Sequence, residues 1–303
     1  VVSPGPEAIT VFLTLIEKFS AAPLNPNYTK QEFISYLKDI KCDAIIIEKD
    51  KFNNAIEAAN ELKIHIIYLE TLNKSGNFEL SYLNNITIKD DKKSLLKNKE
   101  RLILHTSGTT SKPKTVSLSQ ENIFSSALNI IKTLKLCQKD SCLNIMPLFH
   151  IHGLIGCVLS TILSGGTIIA SKGFNALTFF SYVEQFNPSW FSAVPAMHKM
   201  IIRRKSADKN IFNNLRFIRS SSAPMPIKII DEIEKYFNCT LLEAYGMTEA
   251  SHQITSNKLD KIDYKKNTLG RSQGVEISVL TKEGKIKFLN AKGEILIKGK
   301  NVI

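Results

Sequence analysis

Short apolar runs of strand length that alternate with helix-patterned segments constrain the fold of this chain more than any other feature. Cys42-Asp43-Ala44-Ile45-Ile46-Ile47 and Ile64-His65-Ile66-Ile67-Tyr68-Leu69 read as strands, and Phe52 to Leu62 between them reads as a helix. Ala8 to Phe19 and Tyr28 to Lys38 are helix-like, and residues 71 to 99 are polar enough for a surface connection. Further on come helices over Ser119 to Lys132 and Ile155 to Leu163, and strands at Gly166 to Ala170 and Leu215 to Ile218. Strands that are apolar along their whole length are buried on both faces, so the expected class is α/β, layered sheets with helices on both sides. From about Ile262 the texture changes to short, glycine-bounded strands at 274–280, 285–288 and 293–299. The expected organisation is an α/β region over 1–260, then the start of a small β subdomain over 261–303.

One connection in this frame carries chemistry. Arg101-Leu102-Ile103-Leu104-His105, a buried-strand pattern, runs into Thr106-Ser107-Gly108-Thr109-Thr110-Ser111-Lys112-Pro113-Lys114. Gly108 lets backbone N–H groups approach an anion, the hydroxyls donate hydrogen bonds, and Lys112 and Lys114 bring positive charge, which together suit a phosphate. A triphosphatase loop is excluded because no second glycine stands at the required distance before either lysine. A G-x-G-x-x-G dinucleotide loop is absent as well.

The loop resembles the signature [ST]-S-G-[ST]-T-G-x-P-K-G of the adenylate-forming superfamily, with Ser111 and Thr115 at the two later glycines. Three further segments follow in the family's order. Met146-Pro147-Leu148-Phe149-His150-Ile151-His152-Gly153-Leu154 resembles its acyl-site motif, Arg219-Ser220-Ser221-Ser222-Ala223-Pro224-Met225 its adenine loop, and Glu243-Ala244-Tyr245-Gly246-Met247-Thr248-Glu249-Ala250 its Y-G-x-T-E core. The resemblance implies an acyl-CoA synthetase large domain followed by a small barrel-like subdomain, trimmed at both ends. The family's mobile C-terminal domain, with its catalytic lysine, and its ribose-binding aspartate would then lie outside this chain.

The resemblance implies ATP, Mg²⁺ and CoA, and it distributes the roles. Thr106, Ser107, Gly108, Thr109, Thr110, Ser111, Lys112 and Lys114 would hold phosphate, while Ser222, Ala223, Pro224, Glu243, Ala244 and Tyr245 would surround the adenine. The chemistry supports such roles independently. Driving a carboxylate onto the α-phosphorus of an anionic nucleotide demands charge neutralisation and in-line positioning. Glu249 suits Mg²⁺, a hard ion that takes one or two carboxylates plus substrate phosphates. Thr248 beside it can donate to a phosphate oxygen, and Tyr245 offers an aromatic face to a base. Thr248, Glu249 and His150 form the expected catalytic set.

For the acyl site, peptide-synthetase adenylation domains place an aspartate where this chain has His150, which argues against amino acid substrates. The wording of the motifs, with A-V-P-A-M-H at Ala193 to His198 and M-T-E-A-S-H at Met247 to His252, is similar to oxalate and small-acid CoA ligases. His150, His152, Ser221 and His252 would line a short polar pocket, since an apolar tunnel would not tolerate a second carboxylate unpaired. A medium-chain or aromatic acyl-CoA ligase and a non-catalytic nucleotide-binding relative are the alternatives.

Charge and cysteines narrow the class further. The net charge of +12 comes from scattered lysines mixed with acids, which describes a basic solvated surface rather than a nucleic-acid face. Five cysteines show no C-x-x-C and no H-E-x-x-H accompanies the histidines, so reduced thiols and no zinc are expected. Without a signal-peptide pattern or an apolar run of membrane-spanning length, a soluble protein of the cytoplasm or a peroxisome-like organelle is the expectation.

Overall fold

The computed structural model describes residues 1–82, 100–106, 113–204, 212–260, 265–288 and 290–303. The chain packs as two compact units. One comprises Val1–Gln120 with Pro147–His150 and Ala170–Gly173, the other Glu121–Met146 with Ile151–Ile169 and Phe174–Ile303.

In the first unit, the two isoleucine-rich runs are strands β1 (Ala44–Glu48) and β2 (His65–Thr71), paired in parallel. The helix Asn53–Glu61 connects them, as parallel pairing requires. Helix Lys30–Asp39 starts at a capping box in which Thr29 accepts from the Glu32 amide and Glu32 accepts from the Thr29 amide. Phe33, Leu37, Ile45, Ile47, Ala55 and Ala58 bury the apolar faces of these elements in one core. The stretch expected to be only a surface connection contains strand β3 (Phe78–Tyr82), antiparallel to β2. Its largely exposed faces hide it from a reading based on hydrophobicity.

Strands β4 (Glu100–Thr106) and β5 (Lys114–Ser119) form an antiparallel hairpin in the same unit. The cationic loop therefore joins two paired strands in sequence, and a strand stands between it and the helix Gln120–Leu134. Leu102, Leu104, Val116 and Leu118 are buried while their neighbours on the other face are more open, which gives β5 the alternation of a half-covered strand.

The second unit is built on a seven-stranded sheet. Its order is β12 (Arg271–Ser272), β11 (His252–Ser256), β10 (Leu241–Met247), β9 (Phe217–Ser220), β8 (Trp190–Ala193), β6 (Ser141–Asn144) and β7 (Thr167–Ala170). The run β6, β8, β9, β10 is parallel, and β10 turns back into β11 antiparallel. β8 and β9 are buried at every position, as expected for parallel strands covered on both faces. Helix Ile227–Phe237 packs Ile230, Ile233, Tyr236 and Phe237 inward. The segment expected as a helix over 155–163 is an eight-residue π-helix, His152–Leu159, that continues as the α-helical turn Ser160–Leu163. The β-rich tail is present as β13 (Glu276–Leu280), β14 (Ile286–Lys287) and β15 (Glu294–Lys298), an antiparallel sheet of three in the order β14-β13-β15. Closure into a barrel is not something these three strands achieve by themselves.

Candidate active site

In the first unit the cationic loop is framed by its end residues. Thr106 pairs with Lys114 as the last pair of the β4–β5 hairpin, and Lys114 is exposed. Ser107, Gly108, Thr109, Thr110, Ser111 and Lys112 lie outside the described residues. Thr115, which stands where the resemblance calls for glycine, donates its hydroxyl to Asp39 Oδ2. His105 Nε2 lies 2.9 Å from the same oxygen. Those two hydrogen bonds, Thr115 first, hold the Asp39 carboxyl below its usual range. The loop end of the hairpin is thus tethered to helix Lys30–Asp39. His150, also in this unit, is exposed and tilted against Phe149, with ring centroids 4.6 Å apart. Partial desolvation by its neighbours nevertheless lowers its pKa.

In the second unit the motif residues gather where parallel strands end. In open α/β sheets the carboxyl ends of the strands are where ligands bind. β9 delivers Ser220-Ser221-Ser222, and β10 delivers Tyr245, Gly246 and Met247 followed by the 3₁₀ turn Thr248–Ala250. Gly246 has to be glycine, because a Cβ there would sit 1.5 Å from the His252 carbonyl oxygen across the hairpin. The return into β11 passes through Ser251 (φ 50°) and His252 (φ 99°), a left-handed path that side chains adopt at a cost. Asn301, fully buried, donates to Ala250 O at 2.9 Å and Gln253 O at 3.1 Å and fastens this turn from the chain's last residues. Thr248 and Glu249 are half-buried, as is Tyr245, which packs against the core of Ala250, Ile254 and Val275.

Of the adenine-loop residues, Ser222, Ala223 and Pro224 are exposed, whereas Glu243 and Ala244 are buried. Burial raises the Glu243 pKa. The two serines lie in different surroundings. Ser221, expected at the acyl pocket, is buried and donates to Ala244 O at 2.9 Å. Ser222, expected beside the adenine, sits 3.1 Å from His152 Nδ1.

The structure brings His152 and His252 together. Their rings stack with centroids 4.8 Å apart and planes 20° from parallel, and both are buried. His152 Nε2 is 2.6 Å from Ser192 Oγ. Gly156 makes the stack possible. A Cβ there would meet His252 Nε2 and Cδ2 at 2.7 Å and His152 Cδ2 at 3.2 Å. Behind the pair lies Arg219, fully buried in β9, whose Nη1 is 2.8 Å from His252 Nε2 and whose Nη2 donates to Gln253 Oε1 at 3.0 Å. The sequence assigned no role to Arg219, Ser192, Gly156 or Asn301. A guanidinium in the middle of an apolar strand, Phe217-Ile218-Arg219-Ser220, is the one signal among them that was open to reading.

Among the described residues no group of three or more His, Cys, Asp or Glu side chains is placed to hold a metal. Mg²⁺ does not need such a cage when substrate phosphates complete its shell, so the single carboxylate of Glu249 on an accessible turn fits that ion. All five cysteines are free thiols. Among the described residues no helix is long and apolar enough to cross a membrane.

A largely parallel sheet whose carboxyl edge gathers hydroxyls, a carboxylate and an aromatic ring defines a mixed α/β protein with a candidate ligand site at that edge. The family can be stated directly: the chain belongs to the AMP-binding enzyme family, whose family model matches residues 5–303. It is 38% identical over 303 residues to an oxalate–CoA ligase of Arabidopsis thaliana, covering 98% of this chain and 59% of that protein. It is 36% identical over 324 residues to an oxalate–CoA ligase of Saccharomyces cerevisiae, again covering 98% of this chain and 59% of the relative. The chain thus spans about three fifths of the length of these relatives. In fold it is similar to apo MatB from Rhodopseudomonas palustris, with a TM-score of 0.80 at 23% identity, over 98% of this chain and 58% of that one.

Proposed function

We propose that the protein is an ATP-dependent acid–CoA ligase that activates a small, doubly anionic carboxylic acid such as oxalate. In the first step the acid's carboxylate oxygen bonds to the α-phosphorus of ATP and pyrophosphate leaves. In the second the thiol of CoA displaces AMP from the acyl carbon, yielding the thioester. Each residue here has a task in positioning. Thr106 and Lys114 frame the phosphate loop, Tyr245 offers a ring face to adenine, and Thr248 directs a hydroxyl toward the α-phosphate. Mg²⁺, held by Glu249 and the nucleotide, would supply charge neutralisation on the phosphates.

The observation that carries the substrate assignment is the stacked His152–His252 pair with Ser222 on one side and the Arg219 guanidinium on the other. A second carboxylate is a matching acceptor for a donor of this cluster, whereas an alkyl chain is not. The names of the two curated relatives support the same substrate class. The test is pyrophosphate release by the complete protein with a panel of acids. Oxalate and other short dicarboxylates are expected to be turned over in strong preference to octanoate or a cinnamate, because a site built to hydrogen-bond a polar group rejects apolar analogues far more strongly than a greasy pocket rejects a missing methylene. Better turnover of octanoate or a cinnamate would leave the ligase reading and sink the small-acid one. No acid-dependent release, with ATP binding intact, would favour a non-catalytic relative.

A further inference from the structure

Arg219 is a buried cation in an unusual position. It is fully buried on the central strand β9, and among the described residues no carboxylate lies within ion-pair distance of it. Desolvation lowers its pKa to about 10, so it is still charged at neutral pH. Cys142 and Cys157 are near enough to influence that charge, yet burial raises the Cys142 thiol well above its usual value, so it supplies no countercharge. Glu243 on neighbouring β10 has its own carboxyl pushed up by burial and makes no pair with the guanidinium. An uncompensated buried charge is costly and is normally removed or paired.

The geometry fixes protons. A guanidinium only donates, so the 2.8 Å contact makes His252 Nε2 the acceptor. His252 is then neutral with its hydrogen on Nδ1. Burial first, then Arg219 and His152, push its pKa well below the ordinary imidazole value. The neighbouring bonds agree with this assignment. Gln253 accepts from Arg219 through Oε1, which turns its Nε2 to donate to Thr133 Oγ1 at 3.0 Å, and Thr133 in turn donates to Asn129 O at 2.7 Å. His152 lies between two hydroxyls, with Nε2 2.6 Å from Ser192 Oγ and Nδ1 3.1 Å from Ser222 Oγ. On His252 the Nε2–Cδ2 edge faces Gly156 and Arg219, and the Nδ1–H donor lies on the opposite ring edge.

We propose that Arg219 is the specificity-determining positioning residue of the acyl site, acting through His252: it locks the Nδ1–H tautomer and, as an unneutralised charge behind the ring, strengthens that donor toward an anionic group of the substrate. The inference rests on the acid–CoA ligase reading for its consequence and on geometry alone for the tautomer. The site then selects an anion with a neutral imidazole, and acid affinity does not depend on imidazole protonation.

Two measurements on the complete protein test this. With ¹⁵N-labelled histidine, and the His252 signals assigned by His252→Gln, long-range nitrogen–proton NMR is expected to show the Nδ1–H tautomer unchanged from about pH 5.5 to 8, the range in which a free imidazole titrates. Arg219→Gln is expected to raise the KM for oxalate at least about tenfold relative to a small monocarboxylate, the effect of losing one charge-assisted bond, with a smaller change in kcat. Should Arg219→Gln not fold, the KM of the wild type for oxalate against pH takes its place, and a flat profile is expected. An ordinary His252 titration, an Nε2–H tautomer, a KM that climbs as pH rises through about 6.5 or an unaltered acid preference in Arg219→Gln would each overturn the inference. The NMR outcome stands apart from catalysis, so a protein that fails to activate any acid contradicts the functional reading and not the tautomer.

Discussion

At the scale of single residues, the cluster depends on one missing methyl group. Gly156 lies on the π-helix, whose wider turn carries His152 at its start. Adding a Cβ would press within 2.7 Å of a ring that Arg219 holds from the same edge, so the ring cannot yield without losing its 2.8 Å bond. Gly156→Ala is expected to cost about 1–3 kcal/mol of stability by overpacking, measured by urea denaturation, and to weaken acid binding in the same variant. Wild-type stability in that variant would mean that the imidazole stack is looser than its geometry implies. The residue scale also explains Thr115 at a position where flexibility was expected. Its hydroxyl is committed to Asp39, which trades the freedom of a glycine for a tie between the hairpin and the helix Lys30–Asp39.

At the scale of elements, the turn that carries Thr248 and Glu249 is held by partners far along the chain. Ser251 and His252 occupy left-handed backbone conformations worth about 1–3 kcal/mol of strain each, so the turn persists only if its surroundings over-determine it. Asn301 does this through two hydrogen bonds to backbone carbonyls, and the Ile303 N–H donates to Glu249 O at 3.1 Å. Asn122, from the start of helix Gln120–Leu134, in turn fixes the carbonyls of Lys300 and Val302. Asn301→Ala is expected to destabilise the protein by about 1–3 kcal/mol through unsatisfied carbonyls and to speed amide exchange at Ser251, His252 and Gln253 more than elsewhere. Uniform exchange rates across that hairpin would show that the tail does not hold it.

At the scale of the whole molecule, buried neutral histidines tie stability to pH. His198 is buried on the helix Pro195–Arg203, donates Nε2–H to Arg219 O at 3.1 Å, and has its pKa lowered by burial to about 4. An unfolded histidine takes its proton near pH 6.5, so between about pH 6.5 and 4 the unfolded chain binds the proton and the folded one does not. Stability from this group is therefore complete above about pH 6.5 and falls with acidification, by about 2 kcal/mol at pH 5. His252, also depressed, adds in the same direction. Denaturation curves at about pH 7 and 5 are expected to differ by at least that amount, and His198→Gln, whose amide can keep the bond to Arg219 O, to reduce the difference. An equal pH dependence in wild type and variant would assign the acid sensitivity to other groups.

What the sequence determined by itself was whatever depends on local pattern. The parallel strands β1 and β2 and the helix between them follow from runs of isoleucine and a 3.6-residue period, and the ordered motifs at the loop, at Met146 to Leu154, at Arg219 to Met225 and at Glu243 to Ala250 were enough to point to the family. Strand β3 was hidden because an exposed strand has no apolar signature, and the π-helix because a wider turn leaves the hydrophobic run unchanged. Only the tertiary structure decided which polar groups meet. His152 and His252 stand 100 positions apart, Arg219 and Gln253 34 apart, and Asn301 51 and 48 from the two carbonyls it holds. Proton positions in that cluster follow from distance and direction between donors and acceptors, quantities that a linear order of residues does not contain until the sheet brings β9, β10 and β11 side by side.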